Sequence, residues 1–204
     1  MQYKAPYLPY DVIRPHAQRF LDEFHPSASL PVPIEEIVEF KFKINIVPMP
    51  NMKRDYNVEG FLSKDFSSIY FDNDTSEKFE NRYRFTLAHE VGHMILHRDF
   101  YDAVQYLSLI EWAQFQDAID SDQYSWFETQ AYDFAGLILV PEQHLFDEYK
   151  IEVERLREQS YTFSKANFDM INEYICIPLS KRFKVSQTVI RKRIYKDGLA
   201  PNVV

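Results

Sequence analysis

The run His89-Glu90-Val91-Gly92-His93 narrows the folds open to this chain more than any other stretch. Arg84-Phe85-Thr86-Leu87-Ala88 precedes it and Met94-Ile95-Leu96-His97 follows, and neither flank carries a proline, so the segment is predicted to be helical. Four residues along an α-helix turn the chain by about 400° and advance it by about 6 Å, which puts the imidazoles of His89 and His93 on one face. Both rings can reach one tetrahedral ion. Glu90 stands at the edge of that face, where a carboxylate can touch ion-bound water without binding the ion itself. Zinc makes such water acidic near neutral pH, and a neighbouring carboxylate can take the proton. Two histidines do not complete a zinc site, so the fold must bring a further ligand over this helix.

The source of that ligand can be narrowed by position. A metzincin has Gly and His where this chain has Leu96 and Asp99. Leu96 gives the helix no reason to break, which leaves Asp99 poorly placed. His97 lies about 6 Å further along the axis than His93, too far for three ligands of one helix to converge, and reads as a neighbour of the site or a helix-end residue. A carboxylate from a second helix remains, and Glu128 is the best candidate. Ala131 and Ala135 share its face at +3 and +7, and small residues there let that helix approach the first one closely. Gly92 and Gly136, two of only four glycines, suggest the same close packing. The plain alternative for Glu128 is an exposed acid near a helix start.

These residues together resemble the ImmA/IrrE family of metallo-endopeptidases. The family pattern R-F-T-x-A-H-E-x-G-H-x-x-x-H is complete in Arg84 to His97. Its second motif, E-x-x-A-N-x-F-A-x-x-L-L-M-P, is matched by Glu128 to Pro141, with Tyr132 where Asn is usual and Val140 where Met is usual. Phe183-Lys184-Val185-Ser186, followed by Arg191 and Arg193, is similar to a third, weaker stretch, and Leu30-Pro31-Val32-Pro33-Ile34 to an early one. The resemblance implies Zn2+ bound by His89, His93 and Glu128, with Glu90 as general base and then general acid. It also implies a protein substrate, a helix-turn-helix repressor of the Xre type, whose cleavage derepresses mobile-element or stress genes. Tyr132 and His144 are candidates for steadying the oxyanion of the reaction. Glu59-Gly60-Phe61-Leu62-Ser63 echoes the E-G-C-L-S segment of peptide deformylases, but Phe61 stands where those enzymes have their metal-binding Cys, and the echo reads as coincidence.

The expected fold is α+β: a mainly helical zincin-like domain with a small three-stranded sheet and a C-terminal helical, helix-turn-helix-like subdomain. The expected organisation is an N-terminal arm and short helix over 1–29, a zinc metallopeptidase core over 30–160 and the C-terminal helices over 161–204. Strands are predicted over Lys41–Pro48, Val58–Leu62 and Ser68–Phe71. Helices are predicted around His16–Phe24, over Ile34–Phe40, from Asp74 to about His97 with Asp74 and Glu77 as a capping pair, over Val104–Ala118, from Trp126 to Val140, and over Glu142–Gln159. Three short ones follow at Asn167–Ile175, Pro178–Phe183 and Ser186–Lys196. The interval between His93 and Glu128 is long for the family, so 99–127 reads as an inserted lid or docking surface.

Charge and composition restrict the partners. The net charge is −8, but Tyr174 to Val204 holds seven Lys or Arg against one Asp, which leaves the remainder strongly acidic. An acidic body disfavours nucleic acid as its partner and suits a basic protein. With Cys176 as the single cysteine no internal disulfide forms, as befits a reducing cytoplasm. No secretory leader or membrane-length apolar run is evident. A competing reading is a non-catalytic DNA-binding regulator, or a toxin–antitoxin partner, acting through Lys181, Arg182, Lys184, Arg191, Lys192, Arg193 and Lys196.

Overall fold

The computed structural model describes residues 6–73, 79–103, 110–112, 120–161 and 167–199. Chain order begins with helix α1 (Tyr10–Phe24), a short helix α2 (Ile34–Glu36) prolonged by a π turn (Ile37–Lys41), strand β1 (Asn45–Met49), a one-turn α3 (Met52–Tyr56) and strands β2 (Gly60–Leu62) and β3 (Ser68–Asp72). The helices α4 (Glu80–Leu96), α5 (Arg98–Ala103), α6 (Ser121–Leu139), α7 (Glu142–Glu158), α8 (Phe168–Phe183) and α9 (Gln187–Lys196) complete it. The architecture is the expected α+β, mainly helical with one three-stranded sheet.

Strand β3 is central. It runs parallel to β1, with Ile69 beside Ile46, and antiparallel to β2, with Ile69 beside Leu62. The outer strand β2 lies against α4. Helix α6 packs on the other side of α4 at a contact without side chains: a Cβ added to Gly92 would sit 3.0 Å from the Ala131 carbonyl oxygen. The expected close approach of these two helices is therefore real, with the fully buried Ala131 as its partner. Gly136 plays a different part from the one expected; it faces the Arg193 side chain of α9 at 3.6 Å. Helix α1 covers α6 through Ile13, Ala17, Phe20 and Leu21, with the Phe20 ring 5.8 Å from that of Phe134.

Several boundaries differ from the sequence reading for identifiable reasons. The predicted strand from Lys41 begins only at Asn45, because the Phe42 N–H closes the π turn on the Ile37 carbonyl and Lys43 takes a positive φ of 57°. Helix α6 starts five residues before Trp126, because the Asp120 carboxylate accepts from the backbone N–H groups of Asp122 and Gln123 and caps it. Pro15 and Pro178 lie inside α1 and α8 and do not end them. A proline inside a helix costs about 3 kcal/mol. Here it is offset by apolar faces continuous across it, such as Ile175, Cys176, Leu179 and Phe183 in α8. The capping pair Asp74 and Glu77 and most of the helix expected over Val104–Ala118 lie outside the described residues.

Candidate metal centre

Helix α4 is anchored before it reaches the site. The buried Arg84 guanidinium donates to the Val32 carbonyl at 2.7 Å and to the Lys184 carbonyl at 3.4 Å. From Thr86 onward the helix is buried on nearly every side, and polar groups buried at that depth need partners. His89 and His93 find each other and Glu128. Their Nε2 atoms are 3.0 Å apart; Glu128 Oε2 is 3.1 Å from His89 Nε2, and Oε1 is 3.6 Å from His93 Nε2. One ligand atom from each residue lies within 4.8 Å of the other two. Ligands about 2.05 Å from a tetrahedral ion are about 3.3 Å apart, so these separations bracket the geometry a divalent cation needs. Two imidazole nitrogens and a carboxylate, facing one another, also form a donor set suited to such an ion.

The electrostatics follow from burial and from these neighbours. Burial, with His89 and His97 alongside, drives His93 well below its ordinary value, so its ring is neutral with a lone pair to offer. Burial also works to lower His89, but the Glu128 carboxylate outweighs it and holds that ring above the usual range. Burial works to raise Glu128, and hydrogen bonds from His89 and Tyr124 hold it below the ordinary carboxylate value. Glu90 lines the same cleft beside this trio and rests against the outer strand of the sheet. It is 5% exposed, and its carboxylate accepts the Leu62 N–H of the outer strand. Burial pushes the Glu90 carboxyl up to about 7, with His89 pulling down, Glu128 pushing up and the Leu62 N–H pulling down.

The strand beside Glu90 has to carry a glycine. A Cβ at Gly60 would stand 2.5 Å from Thr86 Cγ2 and 2.6 Å from Glu90 Oε1. The segment dismissed as a coincidental echo in the sequence is thus the wall that holds Glu90. The hydrogen bonds from Asp72 N–H to the Glu59 carbonyl and from Ser63 N–H to the Ser68 carbonyl turn the backbones of Glu59 and Ser63 toward β3. Those of Gly60 and Leu62 consequently face α4 and the cleft.

That cleft has a volume of about 840 Å3 and runs over His89, Glu90, His93 and Glu128. The described parts of the segment expected to form a lid contribute Tyr101, Trp112 and Tyr124 to its wall. Tyr124, one turn before Glu128, escaped the sequence reading; the available signal was its spacing of four from the carboxylate ligand. Tyr132, one turn after Glu128, lines the cleft as expected, its ring 4.7 Å from that of Phe85 and beneath the Lys192 Nζ at 3.9 Å. His144, at the start of α7, is not part of the cleft wall. Asp99 is exposed in α5. His97 is buried beside the site: its Nδ1 is 3.0 Å from His93 Nδ1, and its Nε2 is 2.9 Å from Gln130 Oε1. Burial lowers it to about 4, against the pull of Gln130.

The basic C-terminal helices are largely committed inside the molecule. Arg182 pairs with Glu148, Lys184 with Glu80, Arg191 with Glu173 and Lys196 with Asp133. Arg193 is buried and donates to Asp197 and to the Gly136 and Val140 carbonyls that end α6.

The model of the peptidase M78 family, described as the IrrE N-terminal-like domain, matches residues 41–195, from just before β1 to the end of α9. The chain belongs to this family. Membership in the M78 metallopeptidases agrees with the His89-His93-Glu128 cluster as a place for a metal ion. No curated protein matches the chain significantly. Among solved structures, a Mycobacterium tuberculosis transcriptional regulator is similar in fold, with a TM-score of 0.51 and 14% identity over 89% of this chain and 46% of that one. The M78 chain described here therefore spans less than half the length of that neighbour. Among the described residues, no helix is long and apolar enough to cross a membrane.

Proposed function

We propose that the chain is a cytoplasmic zinc endopeptidase that cuts a protein, an Xre-type helix-turn-helix repressor, and so releases mobile-element or stress genes from repression. One observation carries the reading: beside three converging ligand atoms, a fourth group, Glu90, is buried and aimed by the Leu62 N–H. A purely structural metal site has no use for that carboxylate.

His89, His93 and Glu128 would hold the zinc ion, and Tyr124 orients the Glu128 carboxylate from one turn away. When bound, zinc supplies Lewis acidity to the scissile carbonyl and to the attacking water. Glu90 takes the proton of that water and returns it to the leaving nitrogen. Strand β2, at the edge of the sheet, offers the backbone of Gly60 and Leu62 along the cleft, which favours an extended peptide. The acidic character of the chain outside its last helices favours a basic substrate. The competing reading as a DNA-binding regulator is weakened by the ion pairs that engage most of the basic C-terminal side chains.

The test is mass spectrometry of a candidate repressor after incubation with zinc-loaded protein, beside the Glu90→Gln variant. Cleavage by the parent, and none by a variant that still holds zinc, is expected. Cutting at the parent's rate by Glu90→Gln would overturn the mechanism.

A further inference from the structure

We propose that the backbone carbonyl of Pro6 fixes which nitrogen of His93 is free to bind the metal, through a line of hydrogen bonds passing by Gln130 and His97. The inference rests on His93 being a metal ligand, as proposed above, and concerns what makes it one.

Each link in the line can be assigned a direction. Gln130 Nε2 lies 3.0 Å from the Pro6 carbonyl oxygen, which can only accept, so the amide NH2 of Gln130 faces Pro6. The amide oxygen is thereby turned to His97 Nε2 at 2.9 Å and can only accept there, so His97 carries its hydrogen on Nε2. Neutral His97 then presents a bare Nδ1 to His93 Nδ1, 3.0 Å away. His93 must supply the hydrogen of that contact from Nδ1, which leaves Nε2 with a lone pair. That Nε2 is the atom 3.0 Å from His89 Nε2 and facing Glu128.

Reversing the amide reverses everything. With the NH2 toward His97, that ring would have to accept on Nε2 and carry its hydrogen on Nδ1. His93 would then accept on Nδ1 and hold its own hydrogen on Nε2, where the ion has to bind. The inner links of the line are sealed against water, since Gln130 and His97 are 2% exposed and His93 is 3% exposed, while Pro6 at its outer end is exposed. Phe127 stacks on both rings, at 4.3 Å from His93 and 4.1 Å from His97, and holds their planes. The segment that supplies the carbonyl is itself fastened: the Tyr7 ring meets the edge of Trp126 at 5.6 Å, and Leu8 packs on the core. Drawing this segment away from Gln130 would free the amide to turn and loosen the ion. Gln130 and His97 are positioning residues that act through His93.

Two readouts test this without reference to cleavage. Long-range 1H–15N NMR of histidine side chains in the metal-free parent should place the hydrogen of His93 on Nδ1 and that of His97 on Nε2. Finding the His93 hydrogen on Nε2 overturns the proposal, and this measurement needs no variant. Zinc affinity by chelator competition should fall about 10–100-fold in Gln130→Met, which removes the acceptor. It should recover to within about threefold of the parent in Gln130→Glu, because a carboxylate accepts from His97 through either oxygen and needs no orienting. Parental affinity in Gln130→Met, or equal loss in both variants, overturns the proposal. Normal histidine tautomers and zinc affinity without any peptide cleavage would sink the peptidase reading and leave this inference standing.

Discussion

Two clusters of polar side chains meet helix α6, one at its C-terminal end and one around Glu128 at its middle, and they use burial differently. At the C-terminal end, Arg193 donates to the Gly136 and Val140 carbonyls and to Asp197, which also accepts from Tyr10 and Arg14. Every one of those bonds closes within the chain. Around Glu128, the Nε2 atoms of His89 and His93 and the Glu128 carboxylate face one another beside the cleft, joined by a hydrogen bond from His89 to Glu128 that a bound cation would replace. The contrast separates a structural clamp from a candidate binding site: the Arg193 and Asp197 side chains are 3% and 4% exposed and spend their hydrogen bonds inside, whereas those of His89 and Glu128 are 18% and 34% exposed and face the cleft.

The sharpest way to break this distinction is to remove one group from each cluster. Glu90→Gln should lower cleavage about 10²–10⁴-fold with zinc content unchanged by elemental analysis, the range expected for a lost general base. Arg193→Met should do the opposite. It should cost about 3–5 kcal/mol in urea denaturation, because Asp197 would be left buried with one partner fewer, while zinc affinity per folded molecule stays at the parent level. A variant at Arg193 that folds normally but loses zinc would erase the contrast.

A further prediction concerns pH. Glu90 is an acid whose value rises from about 4.5 on unfolding to about 7 when folded, so its burial is unfavourable wherever it must ionise. That cost is fully present above about 7 and fades as pH falls toward 4.5. Metal-free Glu90→Gln should therefore be more stable than the parent by on the order of 2–3 kcal/mol at pH 8, with the difference closing near pH 4.5. Thermal melts across that window check the sign. The smallest effect expected is at Gly60. Gly60→Ala should displace the Glu90 carboxylate and lower kcat about 10–100-fold, since misplacement of about 1 Å is enough for such a loss, and the clash with Thr86 should lower stability by about 1–3 kcal/mol. An unaltered kcat would mean the strand does not aim Glu90.

Much of the site could be read from the sequence because helical spacing converts directly into shared faces. His89, His93 and the alanine stripe below Glu128 announce a two-helix centre, and Gly92 marks where the helices touch. What stayed hidden depends on distant partners. Nothing local to Gly60 and Leu62 says that this strand lies against α4, and Gln130 reads as one more polar residue until Pro6 is placed beside it. In the fold, Pro15 and Pro178 suggested breaks that burial on both sides overrides, while the cap at Asp120 carries the helix five residues further back than its predicted start at Trp126. Local rules located the candidate ligands; long-range packing decided what supports them.

The bare contact between Gly92 and Ala131 has one more implication. With backbone on backbone there is no compressible layer, so the crossing works as a calliper for the three candidate ligands. A methyl group inserted there would meet the Ala131 backbone at 3.0 Å and push the two rods apart by a few tenths of an ångström. The spacing of the candidate ligands is thus written partly at a position that is not one of them.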